Sequence, residues 1–360
     1  MATEEERNWS ELPEDLIHLI AKKLPDLVDF IRFRAVCETW RSSAPLSDPP
    51  HQLPWLLELF KRKLCHRTLR RRQKYYSVSS GQTLTIPFTD GRPLLWSWID
   101  GGAFSHYLAF NDVDYIVSFL NPLTNDRFSL PAMTRPLHYG TPWMVWTGTD
   151  PIRDRCVVVV DRDRTLSNEI GGWCFYDPCN NEWVDQKGFF YASCYWKGKF
   201  FSTSPNQATE VFDAYSKELL HEIPPPEDEV LTDKTDELAW RLRRSYLVVS
   251  SGVILRVSWF CGSKRKAVEK SVFHISRLDF ETADGKPCWV RITDIGDQIL
   301  FLQEMHGFSV TARSSTGFRQ ICIYFILPKK FTPYMYDILT GTVERVPCPF
   351  NRCTWFLPGL

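Results

Sequence analysis

The chain has 360 residues, 44% apolar and 24% charged, the proportions of a globular protein able to bury a large core. Its 43 Lys and Arg balance its 43 Asp and Glu, so no global charge directs it to nucleic acid or to a membrane surface. Met1 is followed by Glu4, Glu5 and Glu6 instead of a basic and then an apolar stretch, which argues against a secretory leader, and runs such as Ile321–Leu327 are far shorter than a membrane span.

With 14 Trp, 13 Tyr and 24 Phe, the composition leans towards β structure, where aromatic side chains fit a pleated, half-buried surface. Eleven cysteines, an odd number in a large chain with no export pattern, read as reduced thiols of the nucleus or cytoplasm, most of them small buried hydrophobes. No Cys-x-x-Cys occurs. The closest pairs, Cys174 with Cys179 and Cys348 with Cys353, have no histidine cluster beside them, so neither a metal nor a cofactor is expected.

The first forty-odd residues predict two short amphipathic helices. Across Trp9–Leu24, Leu12, Leu16, Ile20 and Leu24 recur every fourth residue, and Ile17 and Leu19 widen the apolar face. Pro13 suits a first helical turn; Glu14 and Asp15 match the positive end of the dipole, and Lys22 and Lys23 the negative end. After Pro25-Asp26, a second helix with Asp26 or Asp29 as N-cap carries Phe30, Phe33, Cys37 and Trp40 on one face, with Val36 beside them. Two such helices cannot cover that apolar surface themselves, so the rest of the chain or a partner must.

The run Leu12-Pro13-x-x-Leu16 … Ile20 … Leu24-Pro25 … Phe33-Arg34-x-Val36-Cys37-x-x-Trp40-Arg41 closely resembles the F-box motif. The resemblance covers residues 8–48 and implies docking on the Skp-type adaptor of an SCF ubiquitin ligase, and through it on a cullin. The residues it implies for that contact are Leu12, Pro13, Leu16, Ile17, Ile20, Leu24, Val36 and Trp40.

Residues 49–75 read as a bridge: Pro49, Pro50 and Pro54 break structure, and Trp55–Phe60 supplies an apolar anchor. Eight of the fourteen residues from Lys61 to Lys74 are Lys or Arg, with no acidic residue among them. An import signal, a nucleic-acid patch and a solvated linker face all fit such a run, with nucleic acid the least favoured.

From residue 76 to 360 the pattern is one of short strands, including Tyr115–Phe119, Trp143–Thr147, Cys156–Val160, Phe189–Tyr195, Tyr246–Ser250, Val253–Trp259, Val272–Phe280 and Cys322–Leu327. Asp233–Arg243 is the best helical exception. A degenerate repeat recurs in Phe119–Pro131, Phe175–Trp183, Val211–Leu219 and Met335–Glu344, and more loosely in Leu278–Val290: a strand ending in Asn or Asp, a turn, then another strand. The Asx side chain caps the turn, and Gly or Asn tolerates positive φ. About two dozen strands at four per blade predict a β-propeller of about six blades.

Asn121-Pro122-Leu123-Thr124 with Leu130-Pro131, Trp289-Val290 … Gly296-Asp297 … Leu300-Phe301-Leu302, Ile323-Tyr324-Phe325 and Thr354-Trp355-Phe356-Leu357-Pro358 resemble the plant propeller family found behind F-boxes, kelch-like in pattern. Where that family often has a Gly-Ser-x-x-Gly-Trp-Leu-like stretch, this chain has Leu95–Gly102, which leaves the register of the first blade open. The resemblance implies a non-catalytic subunit that holds a protein substrate. Nucleotide-binding, hydrolase and zinc-protease motifs are absent, and Asp161 and Asp163 read as a turn. A propeller in a non-proteolytic complex and a pore-sited hydrolase remain as alternatives.

If the basic run is an import signal, changing Arg70, Arg71 and Arg72 to Ala moves a tagged protein from nucleus to cytosol without weakening adaptor binding. Fluorescence microscopy checks this, and wild-type protein found wholly in the cytosol would count against it.

Overall fold

The computed structural model describes residues 9–24, 26–51, 53–59, 72–87, 108–111, 116–132, 143–147, 157–161, 172–177, 180–187, 192–204, 206–229, 241–261, 267–280, 285–303, 306–312, 318–327 and 330–359. A helical unit at the N-terminus leads into a β-propeller whose described strands form six sheets.

After a single 3-10 turn at Trp9–Glu11 come α1 (Glu14–Lys22), α2 (Leu27–Arg34) and α3 (Glu38–Ser43). Pro13 is the N-cap of α1 and not a residue of its first turn; its carbonyl accepts from the Leu16 and Ile17 amides. Asp26 caps α2, its Oδ1 accepting from Val28 N at 2.9 Å. The second helix expected from the sequence divides into α2 and α3. In one continuous helix, residues seven apart lie about 10 Å along the axis. The turn at 35–37 instead brings the Trp40 ring to 4.3 Å from that of Phe33, and α3 packs against both α1 and α2.

Blade one contains Trp55–Glu58, Arg72–Ser77, Thr83–Pro87 and, from the other end of the chain, Cys353–Phe356. Blade two contains Leu108–Asn111, Ile116–Leu120 and Arg127–Ala132; blade three Trp143–Thr147, Val157–Asp161, Gly172–Asp177 and Glu182–Lys187. Blade four contains Ser193–Trp196, Lys199–Thr203, Thr209–Asp213 and Leu219–Ile223; blade five Arg241–Ser250, Val253–Cys261, Val272–Asp279 and Cys288–Ile292. Blade six has five strands, with His306–Thr311 at one edge, then Gln298–Gln303, Cys322–Leu327, Thr332–Asp337 and Val343–Arg345. Its parallel pair joins Gln298–Gln303 to Cys322–Leu327. Arg241–Ser250 packs between the edge strands Ser193–Trp196 and His306–Thr311 of its neighbours. That approach is close: a Cβ on Gly307 would lie 2.6 Å from Leu302 and 2.8 Å from Val248.

The sequence-derived bridge is corrected here. Trp55–Glu58 and Arg72–Ser77 are strands of blade one, because Trp55–Glu58 pairs on one side with Arg72–Ser77 and on the other with Cys353–Phe356. Within Arg72–Ser77 the exposed Arg72 and Lys74 alternate with buried Gln73, Tyr75 and Ser77; residues 61–71 of the basic run, the Leu95–Gly102 stretch and Asp163 lie outside the described residues. Asp161 ends a strand and does not sit in a turn. Residues 233–240 of the expected helix also lie outside the described residues, and Arg241–Arg243 open a strand.

The turn chemistry follows the repeat. Asn121 Oδ1 accepts from the Leu123 and Thr124 amides at 2.9 and 3.3 Å, Asp213 Oδ1 from Tyr215 and Ser216 at 2.8 Å each, and Asp337 Oδ1 from Leu339 and Thr340 at 2.9 and 3.0 Å. The Ser216 amide and then that of Tyr215 hold the Asp213 carboxyl below its ordinary range, and the Thr340 amide does the same for Asp337. Four residues after each acceptor the chain turns to positive φ, at Asn125, Lys217 and Gly341, as it does at Asn181 after Asp177.

The closing strand is buried throughout. Thr354 Oγ1 and Trp355 N both donate to Gln303 Oε1, at 2.5 and 2.6 Å, and the Trp355 ring lies 5.0 Å from that of Phe301. Trp355→Ala should therefore destabilise the protein by about 3–5 kcal/mol in urea unfolding. Deleting the chain from Cys353 onward should expose the edge of Trp55–Glu58 and give aggregated protein by size-exclusion chromatography.

Candidate adaptor-binding surface

The helical unit has two faces. Inward, Ile17, Ala21, Leu27, Phe30, Phe33 and Ala44 pack with Trp55, Leu57, Tyr75 and Phe356 of blade one in one core cluster. Asp26, itself buried, also receives the Ser80 hydroxyl of blade one at 3.4 Å. The propeller thus covers half of the apolar surface that the helices cannot bury alone.

Outward, large apolar side chains stay exposed. Of the thirteen such residues among those described, seven (Trp9, Leu16, Leu19, Ile20, Ile31, Val36 and Leu46) belong to this short segment. A concentration of that kind makes this face the candidate interaction surface.

The residues implied by the F-box resemblance divide between the faces. Leu16 is 46% exposed, Ile20 39% and Val36 62%, and Pro13 is exposed beside them in the chain. Leu12, Leu24 and Trp40 are half-buried, packed on the edge of the inner cluster. Ile17 is 0% exposed: its side chain supports the helix from beneath and is corrected from a contact residue to a core residue. The reason is angular. At about 100° per residue, Leu16, Leu19 and Ile20 share one arc of α1, while Ile17 and Ala21 share the next, which points to blade one.

Trp9, Leu19, Ile31 and Leu46 complete the exposed set, and the motif spacing did not single them out. For Leu19 the signal was present, as the wide apolar face of α1 is two adjacent stripes. For Ile31 and Leu46 nothing local separates an exposed apolar residue from a buried one.

Polar contacts hold the exposed face in shape. His18 Nδ1 hydrogen-bonds to Ser43 O at 3.1 Å, and Asp48 meets both Lys22 Nζ and, at 3.4 Å, His18 Nε2. Arg34 Nε donates to Ala44 O at 2.6 Å, and Trp40 Nε1 to Trp9 O at 3.2 Å. These bonds tie α1, α2 and α3 to the segments that flank them.

Elsewhere, among the described residues, the most deeply buried charge is Arg256, whose Nε donates to Glu229 Oε2 at 2.8 Å, with both side chains fully enclosed. Its guanidinium also reaches Gln207 O, Thr209 and Ser245, so it braces blade five against blade four. Burial holds the Arg256 pKa below its ordinary value, against the pull of Glu229. Among the described residues no cluster of His, Cys, Asp and Glu could hold a metal, and no helix is long and apolar enough to cross a membrane.

This architecture of exposed helices on a six-sheet propeller is that of an F-box protein. The profile of the KIB1-4 beta-propeller family matches residues 75–351 and the F-box domain profile matches residues 9–47, so the chain belongs to the KIB1-4 beta-propeller family and carries an F-box. It is similar to "Probable F-box protein At4g22165" of Arabidopsis thaliana, 23% identical over 98% of this chain and 97% of that one. It is likewise similar to "F-box/kelch-repeat protein At1g64840" of the same plant, 23% identical over 94% of this chain and 89% of that one. "F-box protein At2g17690" of Arabidopsis thaliana is 46% identical over 54 residues, covering 15% of this chain and 13% of that one. An F-box joined to a propeller is the arrangement of a substrate adaptor, a role that members of such families typically perform without catalysis.

The two faces predict opposite responses to charge. Ile17→Asp should destabilise the helical unit by at least about 3 kcal/mol, since it places a carboxylate in an apolar core. Leu16→Asp should change stability by no more than about 0.5 kcal/mol. Far-UV circular dichroism with urea distinguishes them.

Proposed function

We propose that this protein is the substrate-recruiting subunit of an SCF-type ubiquitin ligase. Its exposed helical face seats a Skp-type adaptor, and through it a cullin, while the propeller holds a protein substrate. The observation that carries this reading is the set Leu16, Leu19 and Ile20 of α1 with Val36 of the turn after α2, left exposed on a helical unit whose opposite face is locked to blade one. A free apolar surface on a rigid mount suits a permanent partner better than a transient one.

The mechanism is positional. No residue of this chain makes or breaks a bond in ubiquitin transfer. By holding the substrate close to the ubiquitin-charged enzyme carried on the cullin, the protein raises the effective concentration of the reacting lysine. Fixing the helices to the propeller matters because a loose joint would lower that concentration. The protein works in the nucleus, the cytoplasm or both, in keeping with its free cysteines and the basic run near residue 70.

Co-purification tests the reading. Wild-type protein should capture a Skp-type adaptor and a cullin from plant extract. Combined Leu16→Asp and Val36→Asp should weaken adaptor binding by about 100-fold or more in calorimetry, since each puts a charge into a desolvated apolar contact. Undiminished binding by a folded double variant would overturn the assignment.

A further inference from the structure

Cys348 and Cys353 lie where the ring closes. Cys353 begins the closing strand of blade one, fully buried, its amide donating to Phe331 O at 2.9 Å and its backbone paired with Glu58. Cys348 lies in the crossover that carries the chain from the outer strand of blade six, Val343–Arg345, to that closing strand, and is only half-buried. Although four residues intervene, the crossover folds back so that the two sulfurs are 3.8 Å apart.

The pair is chemically asymmetric. The Phe350 amide donates to Cys348 Sγ at 3.4 Å, whereas Cys353 Sγ lies 3.6 Å from the Phe331 carbonyl, an acceptor that favours its protonated form. Hydrogen bonding with Cys353 holds the Cys348 thiol below its ordinary pKa, helped by the Phe350 amide and Arg345 and opposed by burial and Glu58. The same bond and burial push Cys353 up. The more acidic thiol is therefore the more accessible one, which is the division of labour between an attacking and a resolving cysteine.

We propose that Cys348 and Cys353 form a reversible dithiol–disulfide pair that responds to hydroperoxides and staples the closing strand to the crossover before it. Cys348 thiolate attacks a peroxide oxygen; the O–O bond breaks, the leaving oxygen takes up a proton and departs as water, and Cys348 becomes a sulfenic acid. Cys353 Sγ then attacks the Cys348 sulfur, and the hydroxide displaced takes the Cys353 proton and leaves as a second water. Two thiols and one hydrogen peroxide give one disulfide and two waters. A dithiol reductant reverses the change by thiol–disulfide exchange. Among the described residues, Cys348 with Cys353 is the pair in which two cysteine sulfurs meet.

The bridge closes a short loop across the single strand on which ring closure depends, so it should reinforce the structure and not disrupt it. Full-length protein titrated with hydrogen peroxide, then alkylated and digested, should yield one linked peptide pair, Cys348 with Cys353, that dithiothreitol abolishes. The oxidised protein should melt higher by on the order of 2–5 °C, and Cys348→Ser should remove both the link and the shift. Absence of the linked pair at any peroxide concentration overturns the proposal. So does Cys348 found as a sulfinic acid beside alkylatable Cys353, or a link that leaves the melting temperature unmoved. Because Cys353 is buried, Cys348→Ser is the variant that reports on chemistry without disturbing the core.

Discussion

Pairing of Cys353–Phe356 with Trp55–Glu58 is the interaction on which the rest of this structure depends. Side chains alternate across a strand, so the pair presents different residues to its two sides. On one, Leu56, Cys353 and Trp355 pack with Phe301, Tyr324 and the core of blade six. On the other, Trp55, Leu57 and Phe356 receive Ile17, Ala21, Leu27 and Phe30 of the helices. A single ladder of hydrogen bonds thus closes the ring and builds the seat of the F-box. Loss of the closing strand would therefore disturb both units, although it lies at the far end of the chain from the helices.

The mounting explains how a helical unit this small stays folded while exposing so much apolar surface. About forty residues cannot supply a core of their own, and here the propeller supplies the missing half. The exposed half is then free to remain exposed, since folding no longer requires its burial. Blade two contributes as well: Asn121 Nδ2 donates to Gly359 O at 3.1 Å and Leu123 packs at the edge of the helical cluster, tying the turn of blade two to the C-terminal end of the chain.

In blades two, three, four and six the repeating turn forms the outer hairpin, at little conformational cost where Asn or Gly occupies the left-handed position. Lys217 is the costly instance, as a non-glycine side chain there is disfavoured by about 1–2 kcal/mol. Its Nζ meets the Ala214 carbonyl, and two amides bind Asp213, so local hydrogen bonds offset that cost. Arg256 and Glu229 differ in kind. Their buried contact adds little net stability by itself, but removing either partner would leave a charge enclosed between blades four and five.

The first helix, the capped hairpins and the approximate number of blades were legible in the sequence because each rests on residues a few positions apart. Leu16 through Ile20 show their periodicity within a turn, and Asp337 caps a turn that ends four residues later. The same reading wrongly assigned Trp55–Glu58 to a linker and Ile17 to the surface. Its error has one physical source: a strand is recognised by its partner, and the partner of Trp55–Glu58 lies at the opposite end of the chain. Which arc of α1 turns outward was likewise decided by blade one, because Ile17 and Leu16 are equally apolar and only the position of Tyr75 and Phe356 distinguishes them. The sequence by itself determined α1, the capped turns and the chemistry they carry. Tertiary packing alone decided which apolar residues are core and which remain as a surface, since burial is a property of what lies opposite a side chain and not of the side chain itself.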